Sequence, residues 1–348
     1  MSTDVTSPTG SVRPAETGAA TARAFPNLAL VKYWGKRDES LILPVAGSLS
    51  LTLDTFAATT TVQLDPAGEQ DRFELNGHLA TGTARDRVTT FLDLVRSRAG
   101  SQSRAIVRSV NEAPTGAGLA SSAAGFAALA TAASAAYGLE LDTPALSRLA
   151  RRGSGSAARS IIANVALWHA GTDDESSFAE EIPAPELAMV IATVDSSAKA
   201  VSSREAMRRT ARTSPYFVAW ITSTEASLTE MVAACRAGDF TQIGEITESH
   251  ALRMHALIAS TEPPIRYLRP ASIEVLDAVV ALRDAGIEAY ATADAGPNVA
   301  VLTRPADAAA VATRLGEILG EDHVRVVGPG PGAHLVPDPV PPAGEAGT

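Results

Sequence analysis

The stretch Pro114-Thr115-Gly116-Ala117-Gly118-Leu119-Ala120-Ser121-Ser122-Ala123 lies in a run of 27 residues, Ala113 to Leu139, that carries no charge. As a membrane span the run fails. Twelve of its residues are alanine, four are glycine and large aliphatics are scarce, whereas a span wants roughly 20 strongly apolar residues. As a glycine-rich loop feeding a buried helix it succeeds. Glycine lets backbone approach a ligand closely, and a helix N-terminus offers unpaired N–H groups to an anion. Ser121 and Ser122 then stand where hydroxyls can meet a phosphate or its magnesium. No Gly-Lys-Ser/Thr closes a Walker A loop, and the third glycine of the dinucleotide fingerprint is absent. A plain turn with a serine cap has the same composition.

Outward from this loop the chain reads as mixed α/β. Ile106, Arg108 and Val110 alternate with Val107 and Ser109, and Leu49 to Leu53 alternates Leu-Ser-Leu-Thr-Leu, as strands with one buried face do. Thr143-Pro144 offers an N-cap and a proline for a helix that Gly153 can close. Ser272 can cap another helix, with Gly286 beyond its end. Ala289–Ala293 and Val299–Leu302 read as strands joined by Asp294-Ala295-Gly296-Pro297-Asn298. Residues 1–19 and 336–348 read as a disordered arm and tail. A Pro- and acid-rich passage, Thr172–Glu186, marks the expected boundary between domains of residues 20–185 and 186–335.

The 348 residues include 39 acidic and 29 basic side chains, for a net charge of −10. That balance excludes a broad nucleic-acid or anionic-membrane surface but not a small anionic substrate. The single cysteine, Cys235, is expected to be buried filler, and the N-terminus shows no signal peptide; a soluble cytoplasmic protein is expected. Among the basic residues 26 are arginine and three lysine, and two of those lysines flank Tyr33-Trp34-Gly35. Where a charge merely faces water arginine replaces lysine cheaply, and after that drift Lys32, Lys36 and Lys199 are the lysines that remain.

Further segments suit anion chemistry. Lys32-Tyr33-Trp34-Gly35-Lys36 sets two ammonium groups beside rings that exclude water, although a strand end with solvated lysines would look the same. Gly153-Ser154-Gly155-Ser156-Ala157-Ala158-Arg159 joins two serines to an arginine able to grip a carboxylate or phosphate in bidentate fashion; a helix stop and cap explain the serines but not Arg159. Ser203-Arg204 offers another hydroxyl and guanidinium. Asp294, on a turn between strands, is placed to act as a base, or is a common turn aspartate. His250 and His255, five residues apart, project about 140° apart on a helix and do not make a metal pair. Arg208, Arg209 and Arg212 read as a solvated helix face.

Taken in order, Asn27-Leu28-Ala29, Lys32 to Lys36, Ser48 to Leu53, Ala117 to Gly125, Gly153 to Ser156 and Asp294 to Asn298 resemble the diphosphomevalonate decarboxylases of the GHMP kinase superfamily. The resemblance spans most of residues 20–335. It implies an α/β (α+β) GHMP-kinase-like fold with an N-terminal βαβ-type domain, a C-terminal ferredoxin-like domain and the active site in the cleft between them. A homodimer is also implied. The activity implied is ATP- and Mg2+-dependent conversion of mevalonate 5-diphosphate to isopentenyl diphosphate.

By the same resemblance Asp294 orients or deprotonates the 3-hydroxyl and Lys32 lies beside it and the transferring phosphate. Arg159 with Asn27 binds the substrate carboxylate. Tyr33, Lys36, Ser154, Ser156, Ser203 and Arg204 surround the diphosphate, and Gly116, Gly118, Leu119, Ala120, Ser121 and Ser122 hold the ATP phosphates. Mevalonate 3-kinases of the superfamily lack the Asp/Lys/Arg set, which this chain has complete. It departs from the family's pattern at Ala46-Gly47, at Ala158 where a cysteine is usual, and at Ile161-Ile162-Ala163-Asn164. Mevalonate 5-phosphate as substrate, or a catalytically silent binding protein of the same fold, are the alternatives.

Overall fold

The computed structural model describes residues 18–112, 121–197 and 200–337. Gly116, Gly118, Leu119 and Ala120 of the glycine-rich loop, Lys199, and nearly all of the expected arm and tail lie outside the described residues.

The first half opens with strands β1 (Ala19–Ala24), β2 (Asn27–Val31), β3 (Lys36–Asp38), β4 (Leu43–Pro44) and β5 (Ser48–Thr52). Next come β6 (Ala58–Asp65), β7 (Arg72–Leu75), β8 (His78–Leu79), helix α1 (Gly82–Ala99) and β9 (Arg104–Asn111). Helices α2 (Ser121–Ala136), α3 (Thr143–Gly153) and the single turn α4 (Ala157–Ser160) precede β10 (Val165–Trp168) and β11 (Ala179–Glu181). Parallel β7 and β9 are linked through α1, which is the βαβ element of this half.

Alanine explains α2. Its small side chains allow the helix to lie directly on β1 and β6, with Ala123, Ala124, Ala127, Ala128, Ala130 and Ala132 fully buried. Within the uncharged run Ser121–Ala136 therefore form a core helix, and no described helix is long and apolar enough to cross a membrane. A second sheet, in the order β11-β10-β5-β2, stands between this core and the second half. On β5 both faces are buried: Leu49 and Leu51 enter a hydrophobic cluster while Ser48 and Ser50 meet Arg159. The expected half-solvated strand is thus wrong, because a buried cation occupies its polar face.

The second half contains β12 (Ala188–Ala192), helices α5 (Ser203–Thr213), α6 (Phe217–Ala237), α7 (Phe240–Ala259) and α8 (Pro270–Asp284), then β13 (Ala289–Thr292) and β14 (Val299–Thr303). It closes with α9 (Ala308–Leu319) and β15 (Val324–Val327), before a final strand, β16 (His334–Val336). The antiparallel sheet order β13-β14-β12-β15, with helices between β12 and β13 and between β14 and β15, is the ferredoxin-like arrangement. Helices α8 and α9 cover one face through Val275, Val279, Val311 and Leu315. The other face shares a core with β2 and β5, in which Leu49, Leu51, Met189, Ile243 and Leu302 meet, and Cys235 is buried there as filler. Helix α7 packs on both β2 and β13.

Several expectations shift at the edges. β1 begins inside the expected arm and β16 reaches into the expected tail, because the two strands pair antiparallel, Thr21 opposite Val336. This closes an open sheet edge and returns the end of the chain to the first half. β11 lies within the expected boundary passage and pairs with β10. Asp142, not Thr143, caps α3, accepting from the Ala145 N–H at 2.8 Å. α8 starts at Pro270; Ser272 lies inside it, accepting from the Arg269 N–H (3.0 Å) and donating to the Pro297 carbonyl (2.6 Å). That hydroxyl ties the helix to the Asp294 loop.

Candidate active site

The two halves meet at an ion pair. The β2–β5 ladder shifts register at a bulge between Ala29 and Val31 and ends with Val31 opposite Leu49, and the chain leaves the sheet as Lys32-Tyr33-Trp34. Lys32 is fully buried, its side chain 1% exposed, and Nζ donates to Asp294 Oδ1 at 2.7 Å; the Asp294 side chain stays 34% exposed. Burial pulls the Lys32 pKa below its ordinary value, and the Asp294 carboxylate is the group that opposes that pull. A buried ammonium thus stands behind a partly open carboxylate.

Two ring systems fix this segment. Trp220 Nε1 donates to the Trp34 carbonyl (2.9 Å), and Trp34 Nε1 donates to Thr210 Oγ1 (3.1 Å). Gly35, at φ 113°, sits in the left-handed half of conformational space with Phe217 and Val45 against it, so a side chain there would be strained and crowded.

Arg159 lies beside the pair, 3% exposed. Nε donates to Ser50 Oγ (2.9 Å) and Asn27 Oδ1 (3.2 Å), and Nη1 donates to Ser48 Oγ (2.5 Å). Its guanidinium also faces the Trp168 ring at 5.8 Å. Nη2 has no protein partner among the described residues. Burial pushes the Arg159 pKa down to about 10, so the group remains a cation at neutral pH. Asn27 spends its amide on the Ser156 carbonyl (2.9 Å) and Ser160 Oγ (2.8 Å). It positions Arg159 rather than offering a free donor.

Tyr33 stacks edge-on against Trp168, and its hydroxyl is buried without a partner. Burial pushes its pKa up, so the phenol stays protonated. Gly155 makes room for it: a β-carbon there would come within 2.7 Å of the Tyr33 hydroxyl. Ser154 Oγ lies 3.3 Å from Ser122 Oγ, which joins the α3–α4 turn to the start of α2.

On the far side Lys36 Nζ donates to Glu39 Oε2 (2.9 Å), and Arg208 reaches the same carboxylate at 3.3 Å. Ser203 and Arg204 open α5 close by, Ser202 being its N-cap. The Arg204 charge acts on Lys36, Tyr33 and Arg87, which places all four in one neighbourhood. These groups can hold a polyanion on one side, while the neighbouring groups offer a guanidinium nitrogen and a carboxylate–ammonium pair.

Lys32, Asp294, Arg159, Asn27, Tyr33, Lys36 and Arg204 therefore lie in one neighbourhood, and the Ser154 hydroxyl adjoins Ser122. Arg208 and Arg212 are exposed on α5, as expected of a solvated face, although Arg208 is tied to Glu39. Among the described residues no cluster of three potential metal ligands occurs. Ser48 and Ser50 were missed as site residues although their i, i+2 spacing puts them on one strand face. Arg87 on α1 was missed as well; it donates to the Gly153 carbonyl (3.1 Å) and lies over Phe126, and nothing in its local sequence distinguishes it. His250 and His255, dismissed as a metal pair, both lie at the site. His250 Nδ1 accepts the Lys32 backbone N–H at 3.1 Å, and His255 Nε2 lies 3.3 Å from the Ala293 carbonyl. Burial lowers their pKa values to about 3 and about 4, so both are neutral.

A family model described as "Diphosphomevalonate decarboxylase-like N-terminal domain" matches residues 24–179, and one described as "Mevalonate 5-diphosphate decarboxylase C-terminal domain" matches residues 189–327. A diphosphomevalonate decarboxylase of Ganoderma lucidum is 36% identical over 311 residues, covering 82% of this chain and 78% of that protein. The solved mevalonate diphosphate decarboxylase of Enterococcus faecalis, studied for mevalonate diphosphate-mediated ATP binding, is 44% identical with a TM-score of 0.87, covering 91% of this chain and 98% of that one. A solved complex of MDDEF with MVAPP, AMPPCP and magnesium is 45% identical with a TM-score of 0.88 and the same coverage, 91% and 98%.

Proposed function

The chain belongs to the diphosphomevalonate decarboxylase family, and we propose that it phosphorylates the 3-hydroxyl of mevalonate 5-diphosphate with ATP and Mg2+, then releases isopentenyl diphosphate, CO2 and phosphate. The observation that carries the reading is the buried Lys32–Asp294 pair facing the free side of Arg159.

In the first step the substrate hydroxyl oxygen forms a bond to the γ-phosphorus as the bond to ADP breaks, and the hydroxyl proton passes to Asp294. Lys32 holds the carboxylate in place and offsets charge on the transferring phosphoryl group. Phosphoryl transfer is mainly positioning and charge stabilisation, so a buried, oriented ammonium suits it. In the second step the C3–O bond breaks with its electrons going to phosphate. The C1–C2 bond pair becomes the new C2–C3 double bond, and C1 leaves as CO2. Arg159, held through Nε by Asn27 and Ser50 and through Nη1 by Ser48, turns Nη2 to grip the carboxylate until that bond breaks. Lys36, Arg204, Ser203, Tyr33, Ser154 and Ser156 take the diphosphate, and the loop through Ser122 takes the ATP phosphates. Magnesium carried by the nucleotide would offset the charge of the ATP phosphates, and the Ser122 hydroxyl, exposed at the start of α2, would help to hold it.

In this reading residues 20–185 together with β16 form the nucleotide- and substrate-binding unit, and residues 186–327 close the cleft. The protein acts as a cytoplasmic homodimer, a proposal supported by the family resemblance and by a lone buried Cys235 that has no use for an oxidising compartment. The test couples ADP release to detection of isopentenyl diphosphate. Stoichiometric ADP and alkene are expected, and ADP without alkene sinks the decarboxylase reading. Comparing kcat/KM for mevalonate 5-phosphate and 5-diphosphate tests the substrate, with the diphosphate expected to be preferred.

A further inference from the structure

Lys32 and Asp294 follow strands of two different sheets, β2 and β13. Each lies just beyond the last rung of its ladder, where backbone groups lose their sheet partners. Such groups need another partner when buried. One helix, α7, packs on both strands and carries a histidine to each place.

The hydrogen bonds settle the tautomers. The Lys32 N–H can only donate, so His250 Nδ1 must be bare and Nε2 must carry the proton. That Nε2–H meets Thr224 Oγ1 at 3.2 Å, and the threonine hydroxyl donates in turn to the Trp220 carbonyl at 2.8 Å. Trp220 packs on the imidazole at 4.6 Å and holds the Trp34 carbonyl through Nε1. Both sides of Tyr33 are thereby fastened to α6 and α7. The Ala293 carbonyl can only accept, so His255 Nε2 also carries its proton. Five residues apart, the two rings point about 140° apart, which lets one face β2 while the other faces β13.

We infer that His250 and His255 are a pair of positioning residues, by which one rigid helix sets the backbone on either side of the Lys32–Asp294 contact and so the aim of the ammonium and carboxylate. The inference rests on the function proposed above. Neither imidazole moves a substrate proton; each acts through the backbone bond it makes.

The experiment swaps each ring for two amides. Asparagine puts its polar atoms near the Nδ1 position and glutamine near Nε2. His250→Asn and His255→Gln are expected to retain kcat within about threefold, whereas His250→Gln and His255→Asn lose about tenfold or more. KM for ATP and for mevalonate diphosphate should change by less than about twofold. In a Lys32→Met background His250→Gln should cost no more than about twofold further, since it acts through Lys32. A purely structural defect would lower both backgrounds alike. Equal kcat for Asn and Gln at each position, a loss confined to KM, or full multiplication with Lys32→Met overturns the inference. Imidazole 15N spectra give a readout without turnover: a His250 proton on Nδ1 also overturns it. An unsubstituted protein that makes no isopentenyl diphosphate refutes the proposed function instead.

Discussion

Asp294→Asn tests the centre of the site and can be followed through in two quantities. The substitution removes the negative charge 2.7 Å from Lys32 Nζ and leaves an ammonium whose side chain is 1% exposed. The ion pair and its hydrogen bond are the influences that raise the Lys32 pKa against burial and the Arg159 charge. Without them the Lys32 pKa falls further below its value of about 10.4 in an unfolded chain. Stranding one partner of a buried pair costs about 3–5 kcal/mol. Because the carboxylate side is one-third open to water, about 1–3 kcal/mol is the expected loss at pH 7.

The pH dependence has a definite sign. A depressed folded pKa means the unfolded chain binds the Lys32 proton more tightly than the folded one. The variant should therefore gain stability as pH rises towards 10, while the parent, which keeps its pair, gains less. Urea titrations of both proteins at pH 7 and pH 9.5 measure this directly. Turnover should fall by about 1,000-fold or more, because the hydroxyl loses its proton acceptor, while KM for ATP changes by less than about threefold. The reasoning is refuted if activity stays within about tenfold of the parent, or if the stability deficit is the same at both pH values.

Other expectations follow from neighbouring groups. Arg159→Lys keeps a charge but loses the fork held by Ser48, Ser50 and Asn27, so kcat/KM for the diphosphate substrate should drop by about 100-fold in steady-state assays; a change under about fivefold removes the assigned role. Glu39→Gln frees Lys36 and Arg208 from an internal anion. KM for mevalonate diphosphate should fall about two- to fivefold with kcat unchanged, and a rise in KM contradicts the assignment. His250 and His255 have folded pKa values of about 3 and about 4, below the usual 6.5. Their contribution to stability is complete above about pH 6.5 and is lost as pH falls through that window, by about 1.4 kcal/mol per histidine per pH unit. Urea midpoints from pH 7.5 to 4.5 should show a shallower acid limb in the His250→Asn/His255→Gln double variant than in the parent.

Much of the site was legible along the chain because its chemistry is borne by short segments at the ends of strands and helices. Lys32 and Lys36 fall within five residues, Ser154, Ser156 and Arg159 within six, and Asp294 sits on a turn between two strands. Local rules of turns, caps and hydrophobic alternation read such segments directly. Edges were less legible. β16 looked like the start of a tail because its only reason to be a strand is the open edge of β1, more than 300 residues earlier. Likewise β5 looked half-solvated until Arg159, from α4, filled its serine face.

The histidines mark the same division most clearly. Spacing within α7 speaks only to whether the two rings can converge, since five residues along a helix turn them about 140° apart. It was silent on what His250 and His255 do, because their partners are backbone groups 218 and 38 residues away, brought to α7 by the docking of two sheets. Amino-acid pattern decided the kinds of element, the uncharged core helix and the acid, ammonium and guanidinium available for catalysis. Folding decided which of them touch, and it turned Asn27 towards Arg159, Ser156 and Ser160. Pattern reports what lies within a few residues, whereas pKa, tautomer and aim depend on groups that only the packed chain places within 3 Å.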